Sequence, residues 1–223
     1  MKKFILRFVF GCFLTFFISQ LCLGQNRKWD FGVSAELGRD YYDRRYPAFY
    51  DKYSGLLRSF VSNYSWGMGI WTEKHLNRSF SGLARINYMQ QDIHPDIYGE
   101  PSSTGRSFNK EKHHHIIADI GGRWYVNPNS KIKIFVDAKM GANAFLAIDL
   151  YEYNDGKSTN KNIFGYDRWQ PVAAGAAGVN WKRIALMLEY NRDLKRAEKH
   201  GYDTNILRQG LTVKTSFAII KPH

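Results

Sequence analysis

The chain of 223 residues predicts an all-β fold, an up-and-down antiparallel transmembrane β-barrel of about eight strands. Three observations predict it. Stretches of alternating polarity recur along the chain, their connections alternate between long and short, and the apolar parity carries aromatic residues near both ends of the strands.

The first stretch, "KWDFGVSAELG" (28–38), places Trp29, Phe31, Val33, Ala35 and Leu37 on one parity and Asp30, Gly32, Ser34, Glu36 and Gly38 on the other. Successive side chains of a strand point to opposite faces, so one face is oily and one polar. Seven further stretches repeat the pattern, from Ser59 to Thr72, Ser79 to Gln91, His113 to Val126, Lys131 to Leu150, Arg168 to Trp181, Ile184 to Asn191 and Ile206 to Ile220. Eight is an even number and the smallest common size for a membrane barrel.

The connections say which way the oily face points. Four are long and polar: "RDYYDRRYPAFYDKYSGLLR", "DIHPDIYGEPSSTGRSFNKEK", "YEYNDGKSTNKNIFGYD" and "RDLKRAEKHGYDTN". Three are short: "EKHLNR", "NPNS" and "KR". Strict alternation sends every long loop to one end of the barrel, the asymmetry of transmembrane barrels rather than of soluble meanders. A secreted lipocalin-like barrel, the competing reading, has one dominant long loop and turns its oily face inward.

Followed strand by strand, the apolar parity carries Trp29, Phe80, Trp124, Trp181 and Phe217 at the tight-turn end and Phe60, Tyr88, Trp169 and Tyr190 at the long-loop end. Aromatic rings settle at lipid headgroup level, so these nine are the expected lipid-interface residues. The opposite parity carries Asp30, Glu36, Arg85, Asp119, Arg123, Lys133, Asp137, Lys139, Glu189 and Lys214, five acids and five bases. Inside a membrane barrel these charges must compensate one another. The expected ion-pair network of the lumen is therefore Glu36, Arg85, Asp119, Arg123, Asp137, Lys139, Glu189 and Lys214. Small inward residues such as Gly67 and Gly141 leave room for the long ones, giving a lumen filled by side chains and closed to passive solute flow.

The first residues place Lys2, Lys3 and Arg7 before an apolar run from Phe8 to Leu23, the pattern of a secretory signal peptide with cleavage expected before Gln25. The expected organisation is a leader over 1–24 and one barrel domain over 25–223. Both cysteines, Cys12 and Cys22, fall in the leader, so the mature chain offers no thiol for catalysis, metal binding or a disulfide. Of the formal charge of +12, Lys2, Lys3 and Arg7 account for three, leaving +9 on the mature chain. A basic exported surface points to phosphate-bearing lipid headgroups, and not to nucleic acid.

"HHHIIADIGGRWYVNPNSKIKIFVDAKMGANAFL" and "PVAAGAAGVNWKRIALMLEYNRDL" resemble the small outer-membrane β-barrel proteins common in Bacteroidota, the porin-like or outer membrane beta-barrel domain family. The shared features are a strand ending in the "NPNSK" turn, the "KIKIFVDAKMGAN" strand, a Gly/Ala-rich strand, the "KR" turn and the "LEYN" strand. The resemblance implies a Gram-negative outer membrane, with outer-membrane lipid, lipopolysaccharide and the barrel assembly machinery as partners. Such barrels end on an aromatic residue. This chain ends "SFAIIKPH", which leaves Phe217 to supply that signal.

Candidate chemistry is sparse. His113 and His115 share a face at the loop end of a strand, read here as a polar cluster exposed at the rim. A metal would need a third ligand, and only the loop residues His94 and His200 offer one. No cofactor and no metal are therefore expected. Lipid A-modifying catalysis would pair one of these histidines with Ser59, Ser62, Ser102 or Ser107, and no spacing pairs them. The chain is read as a non-enzyme with a structural or binding role. Its contact candidates are the loop residues Tyr41, Tyr42, Arg44, Arg45 and Tyr46, since aromatics and arginine are enriched at contact hot spots. Their partner would be an extracellular or envelope protein, or lipid phosphate.

Overall fold

The computed structural model describes residues 29–45, 58–61, 64–93, 108–154, 157–163, 168–198 and 205–220. They form β1 (Trp29–Arg45), β2 (Arg58–Val61), β3 (Tyr64–His75), β4 (Phe80–Ile93), β5 (Phe108–Tyr125), β6 (Ile132–Asn154), β7 (Lys157–Ile163), β8 (Trp169–Trp181), β9 (Ile184–Asp193), β10 (Ala197–Glu198) and β11 (Asn205–Ile220). Eight of these are the staves of a closed barrel, in the order β1-β3-β4-β5-β6-β8-β9-β11, with β11 pairing back onto β1. Every pairing is antiparallel, the up-and-down barrel that the alternating stretches predict.

Closure fixes a stagger. Passing from Asp30 across each paired residue in turn, by Glu73, Leu83, Gly121, Lys139, Ala174, Asn191 and Gly210, returns to β1 at Asp40, ten residues further along. An eight-strand barrel with that shear has tilted staves and an interior just wide enough for side chains to fill.

The tight turns are built by local chemistry. Asn77 Oδ1 accepts from the backbone N–H of Ser79 and of Phe80, both at 2.9 Å. In the next turn Asn127 Nδ2 donates to the Ile132 carbonyl at 3.0 Å, and Asn127 Oδ1 accepts from the Ile134 N–H. Asparagine side chains substitute for the backbone in this way. The third turn is Lys182-Arg183, where Lys182 takes φ 54°, the left-handed region that a two-residue hairpin loop demands.

At the long-loop end the staves outrun their expected limits. β1 continues to Arg45, so Tyr41, Tyr42, Arg44 and Arg45 are strand residues and not loop residues, all four paired with β11 and the first three also with β2. Tyr46 lies outside the described residues, as do the leader, His94 and His200. The single strand expected from Ser59 to Thr72 is two segments. Tyr41 pairs with Val61 while Gly38 pairs with Ser65, a one-residue shift that interrupts the stave. That shift also moves Phe60. Its backbone pairs with that of Tyr42. Similarly β7 continues the β8 stave along β6, and β10 continues the β9 stave along β11. Parts of the expected loops are thus β-structure, because backbone pairing propagates beyond the point where polarity ceases to alternate.

The two faces of the sheet have inverted polarity relative to a soluble protein. Neighbouring residues show it: Ile120 is 70% exposed and Asp119 is 5% exposed. Val33, Leu37, Ile86, Val136, Met140, Leu186, Leu188 and Val213 all face outward. A monomer in water does not present so continuous an apolar surface. The barrel is of the transmembrane kind, and the inward-facing oily side of a lipocalin-like barrel is excluded by this burial pattern.

Candidate functional site

The inward parity of eight staves converges on a charged lumen. Its centre is Glu189 on β9, a carboxylate met by three cations from three other staves. Arg85 Nη1 donates to Glu189 Oε2 at 2.9 Å and Lys214 Nζ lies 2.7 Å from Oε1, while Lys139 Nζ donates to Oε2. Each cation has a further partner. Arg85 makes a two-pronged contact with Asp119, Nε to Oδ1 at 3.0 Å and Nη2 to Oδ2 at 2.6 Å. Lys214 reaches Glu36 Oε2 at 2.5 Å, and Lys139 approaches Asp137 Oδ2 at 3.9 Å.

From Asp137 the network runs toward the tight-turn end. Arg123 grips Asp137 through Nε at 2.8 Å and Nη2 at 2.9 Å, and gives Nη1 to Glu73 Oε2 at 3.0 Å. The Tyr125 hydroxyl donates to Glu73 Oε1 at 2.7 Å. His75 closes the chain beside Asp30 Oδ2 at 3.2 Å. The guanidinium of Arg123 also lies 3.8 Å over the Phe135 ring, within an apolar cluster of Tyr125, Phe135, Ala176, Ala185 and Met187. Charged groups in low dielectric are tolerable only with such mutual pairing.

A second polar cluster lies nearer the long-loop end, separated by the apolar contacts of Met89, Ile117 and Val172. Arg208 Nη1 donates to Asp40 Oδ1 at 2.8 Å and Arg208 Nε stands 3.6 Å from Asp193. Asn143 Oδ1 is 3.0 Å from His115 Nδ1. His113 and His115 are wholly buried, not exposed at the rim, and His115 packs on Phe145 with ring centroids 4.3 Å apart. Their parity is that of Ile117 and Asp119, so the alternation that defines the lumen also turns them inward. Among the described residues no three His, Cys, Asp or Glu side chains group as a metal site.

All eight residues expected in the lumen network are buried inside the barrel and lie in this one connected set. The expected balance of five acids and five bases is not what the barrel holds. Among the described residues eight carboxylates are buried, against five Lys and Arg. The added groups are Asp40, Glu73, Asp193 and Arg208, and Lys133 is only half-buried over Tyr125. Space is correspondingly scarce. The void bounded by Asp119, Lys139, Glu189 and Lys214 measures about 10 Å³, room for one water molecule.

Of the nine aromatics expected at the interface, Trp29, Phe80, Trp124, Trp181, Phe217, Trp169 and Tyr190 are exposed outward. Tyr88 is half-exposed, its hydroxyl 2.7 Å from His114 Nδ1. The side chain of Phe60 lies outside the described residues. Trp66 and Tyr64 join the long-loop belt, Trp66 meeting Tyr88 edge-on at 5.9 Å. Their parity continues that of Met68, a signal present in the sequence.

No protein-family model and no characterised protein sequence matches the chain. Several solved structures are similar to it over most of their length. Ail, the attachment invasion locus protein of Yersinia pestis, is 7% identical with a TM-score of 0.42, the match covering 84% of this chain and 99% of that one. OprG, an outer membrane protein from Pseudomonas aeruginosa, is 8% identical with a TM-score of 0.47, covering 86% and 96%. Neisserial surface protein A is 14% identical with a TM-score of 0.43, covering 84% and 96%. The closure and topology described above stand on this chain's own strand pairing.

Proposed function

We propose that the chain is an integral outer-membrane protein of a Gram-negative cell. It is a porin-like barrel of the Bacteroidota type, exported with cleavage before Gln25, whose lumen passes no solute. Its role is structural or interactive, exercised through the long-loop rim around Tyr41, Tyr42, Arg44, Arg45 and Tyr46. Its partners are outer-membrane lipid, lipopolysaccharide, the assembly machinery and an extracellular or envelope protein. Catalysis and a cofactor have no part in it. The observation that carries this reading is the inverted barrel, with ion pairs such as Arg85–Asp119 sealed inside and aliphatic side chains outside. Only a barrel with no free edge satisfies its backbone within a bilayer, and β11 pairing on β1 supplies that closure.

The test is fractionation of cells producing the full chain, followed by a heat-modifiability gel on the purified outer membranes. The reading expects the protein in the outer-membrane fraction, running faster unheated than boiled. Release in the soluble periplasmic fraction without detergent would overturn it. A changed lipid A profile in a deletion strain would overturn the non-enzymatic part.

A further inference from the structure

Among the described residues every buried Lys and Arg is paired with a carboxylate. Two arginines on the outer face are treated differently. Arg39 on β1 and Arg192 on β9 both project outward, and neither has a hydrogen-bond or ion-pair partner among the described residues. They flank the same strand. Arg39 is paired with Leu211, whose other neighbour is Tyr190, and the next outward row is Tyr41, Gln209 and Arg192. Two inter-strand steps and one two-residue row separate the arginines, about 12 Å of backbone. Around Arg39 opens an outward-facing groove of about 340 Å³, walled by Leu37, Leu188 and Val213 on the tight-turn side and by Tyr41, Tyr64 and Leu211 beside the guanidinium.

Height along the barrel decides what meets these cations. Arg39 stands ten residues beyond Trp29 on β1. At about 3.3 Å per residue on a stave tilted about 40°, that is about 25 Å along the axis, the full height of a barrel's apolar band. With Trp29 and Trp181 at the tight-turn headgroups, Arg39 and Arg192 reach the opposite headgroup level. The Tyr190 hydroxyl, donating to Gln209 Oε1 at 2.8 Å, marks the same polar edge. Unpaired guanidiniums at the rim of hydrocarbon are costly without an anion, and guanidinium binds phosphate in two-pronged geometry.

Resting on the outer-membrane reading, we propose that Arg39 and Arg192 form a site for a lipid A-type phosphoglycolipid of the outer leaflet. Its phosphates sit on the two guanidiniums and one acyl chain fills the groove beside Arg39, against Leu37, Leu188 and Val213. Two separated cations match a headgroup with two phosphates better than a single phosphodiester. The aliphatic wall of Leu37, Leu188, Leu211 and Val213 matches a tightly packed acyl chain.

The experiment uses the full mature chain purified in detergent micelles, supplied separately with bis-phosphorylated lipid A, dephosphorylated lipid A and phosphatidylglycerol, with retained lipid counted by native mass spectrometry. Wild type is expected to retain bis-phosphorylated lipid A in preference to the other two. Arg39→Gln and Arg192→Gln each weaken retention about tenfold, and Arg39→Lys by less. Both side chains lack partners, so the variants keep the heat-modifiable gel shift that certifies the barrel. Undiminished retention in an Arg39→Gln/Arg192→Gln double variant that keeps the shift overturns the site while leaving the membrane reading intact. Equal retention of dephosphorylated lipid A or of phosphatidylglycerol by wild type overturns the assignment of the ligand. Absence of wild type from the outer-membrane fraction overturns both the location and the site.

Discussion

Arg85 and Asp119 face each other on adjacent staves and meet in a two-pronged ion pair, with the Nη2–Oδ2 contact at 2.6 Å. The same guanidinium crosses the lumen to Glu189, 104 residues along the chain. Removing it strands the buried Asp119 carboxylate and takes from Glu189 one of its three cations. Arg85→Met is expected to cost about 3–5 kcal/mol of barrel stability. Urea unfolding in lipid vesicles, followed by the heat-modifiable gel band, measures it. Addition of Asp119→Leu should restore part of the loss, since neighbouring charges in one network are not additive.

The three cations around Glu189 fill the middle of the lumen. Wild type in a planar bilayer is expected to show no steady ion conductance. Truncating Lys139, Glu189 and Lys214 together to Ala removes the longest side chains lining the 10 Å³ void and should open a resolvable conductance. Equal silence of both proteins would place the constriction elsewhere.

Gly67 is required by Glu36. A Cβ at Gly67 would stand 2.6 Å from Glu36 Oε1 and 2.6 Å from the Tyr88 carbonyl oxygen. Gly67→Val therefore displaces Glu36 from Lys214, and should destabilise the barrel by about 1–3 kcal/mol. Gly82 has open space where its Cβ would be, so Gly82→Val should be tolerated in the same unfolding measurement.

Lys182 holds a left-handed backbone at φ 54° that glycine adopts without strain. Lys182→Gly should raise stability by about 1 kcal/mol, despite losing the Lys182 ammonium 4.9 Å from the Trp181 ring. A fall of that size would show that the contacts of the Lys182 side chain outweigh the backbone term.

The staves were readable in the sequence because lipid on one side and ion pairs on the other impose a period of two, as in Ile184 to Asp193, where every second residue is buried. Stave ends were harder to read. Beyond Asp40 the run Tyr41-Tyr42-Asp43-Arg44-Arg45 no longer alternates in polarity, so nothing in it signals that the strand continues to Arg45. Glu73 and His75 lay just beyond the expected end at Thr72, which hid their pairing with Arg123 and Asp30. Arg208 and Thr212 share the parity of Lys214 and were accessible to the same reasoning. Which charge meets which was not accessible. Contacts such as Arg85 with Glu189 depend on the shear of the closed barrel, a property of eight registers together and of no single stretch.

The account rests on hydrocarbon contacting the parity of Ile120 and Leu186, and the absence of cysteine after residue 24 makes a direct measurement clean. Single variants Ile120→Cys, Leu186→Cys and Val136→Cys, spin-labelled and reconstituted in phospholipid vesicles, report collisions with oxygen, which partitions into lipid, and with a water-soluble nickel chelate. High oxygen and low nickel accessibility at all three sites is the predicted result. Nickel accessibility equal to that of a freely solvated label at these sites would contradict it.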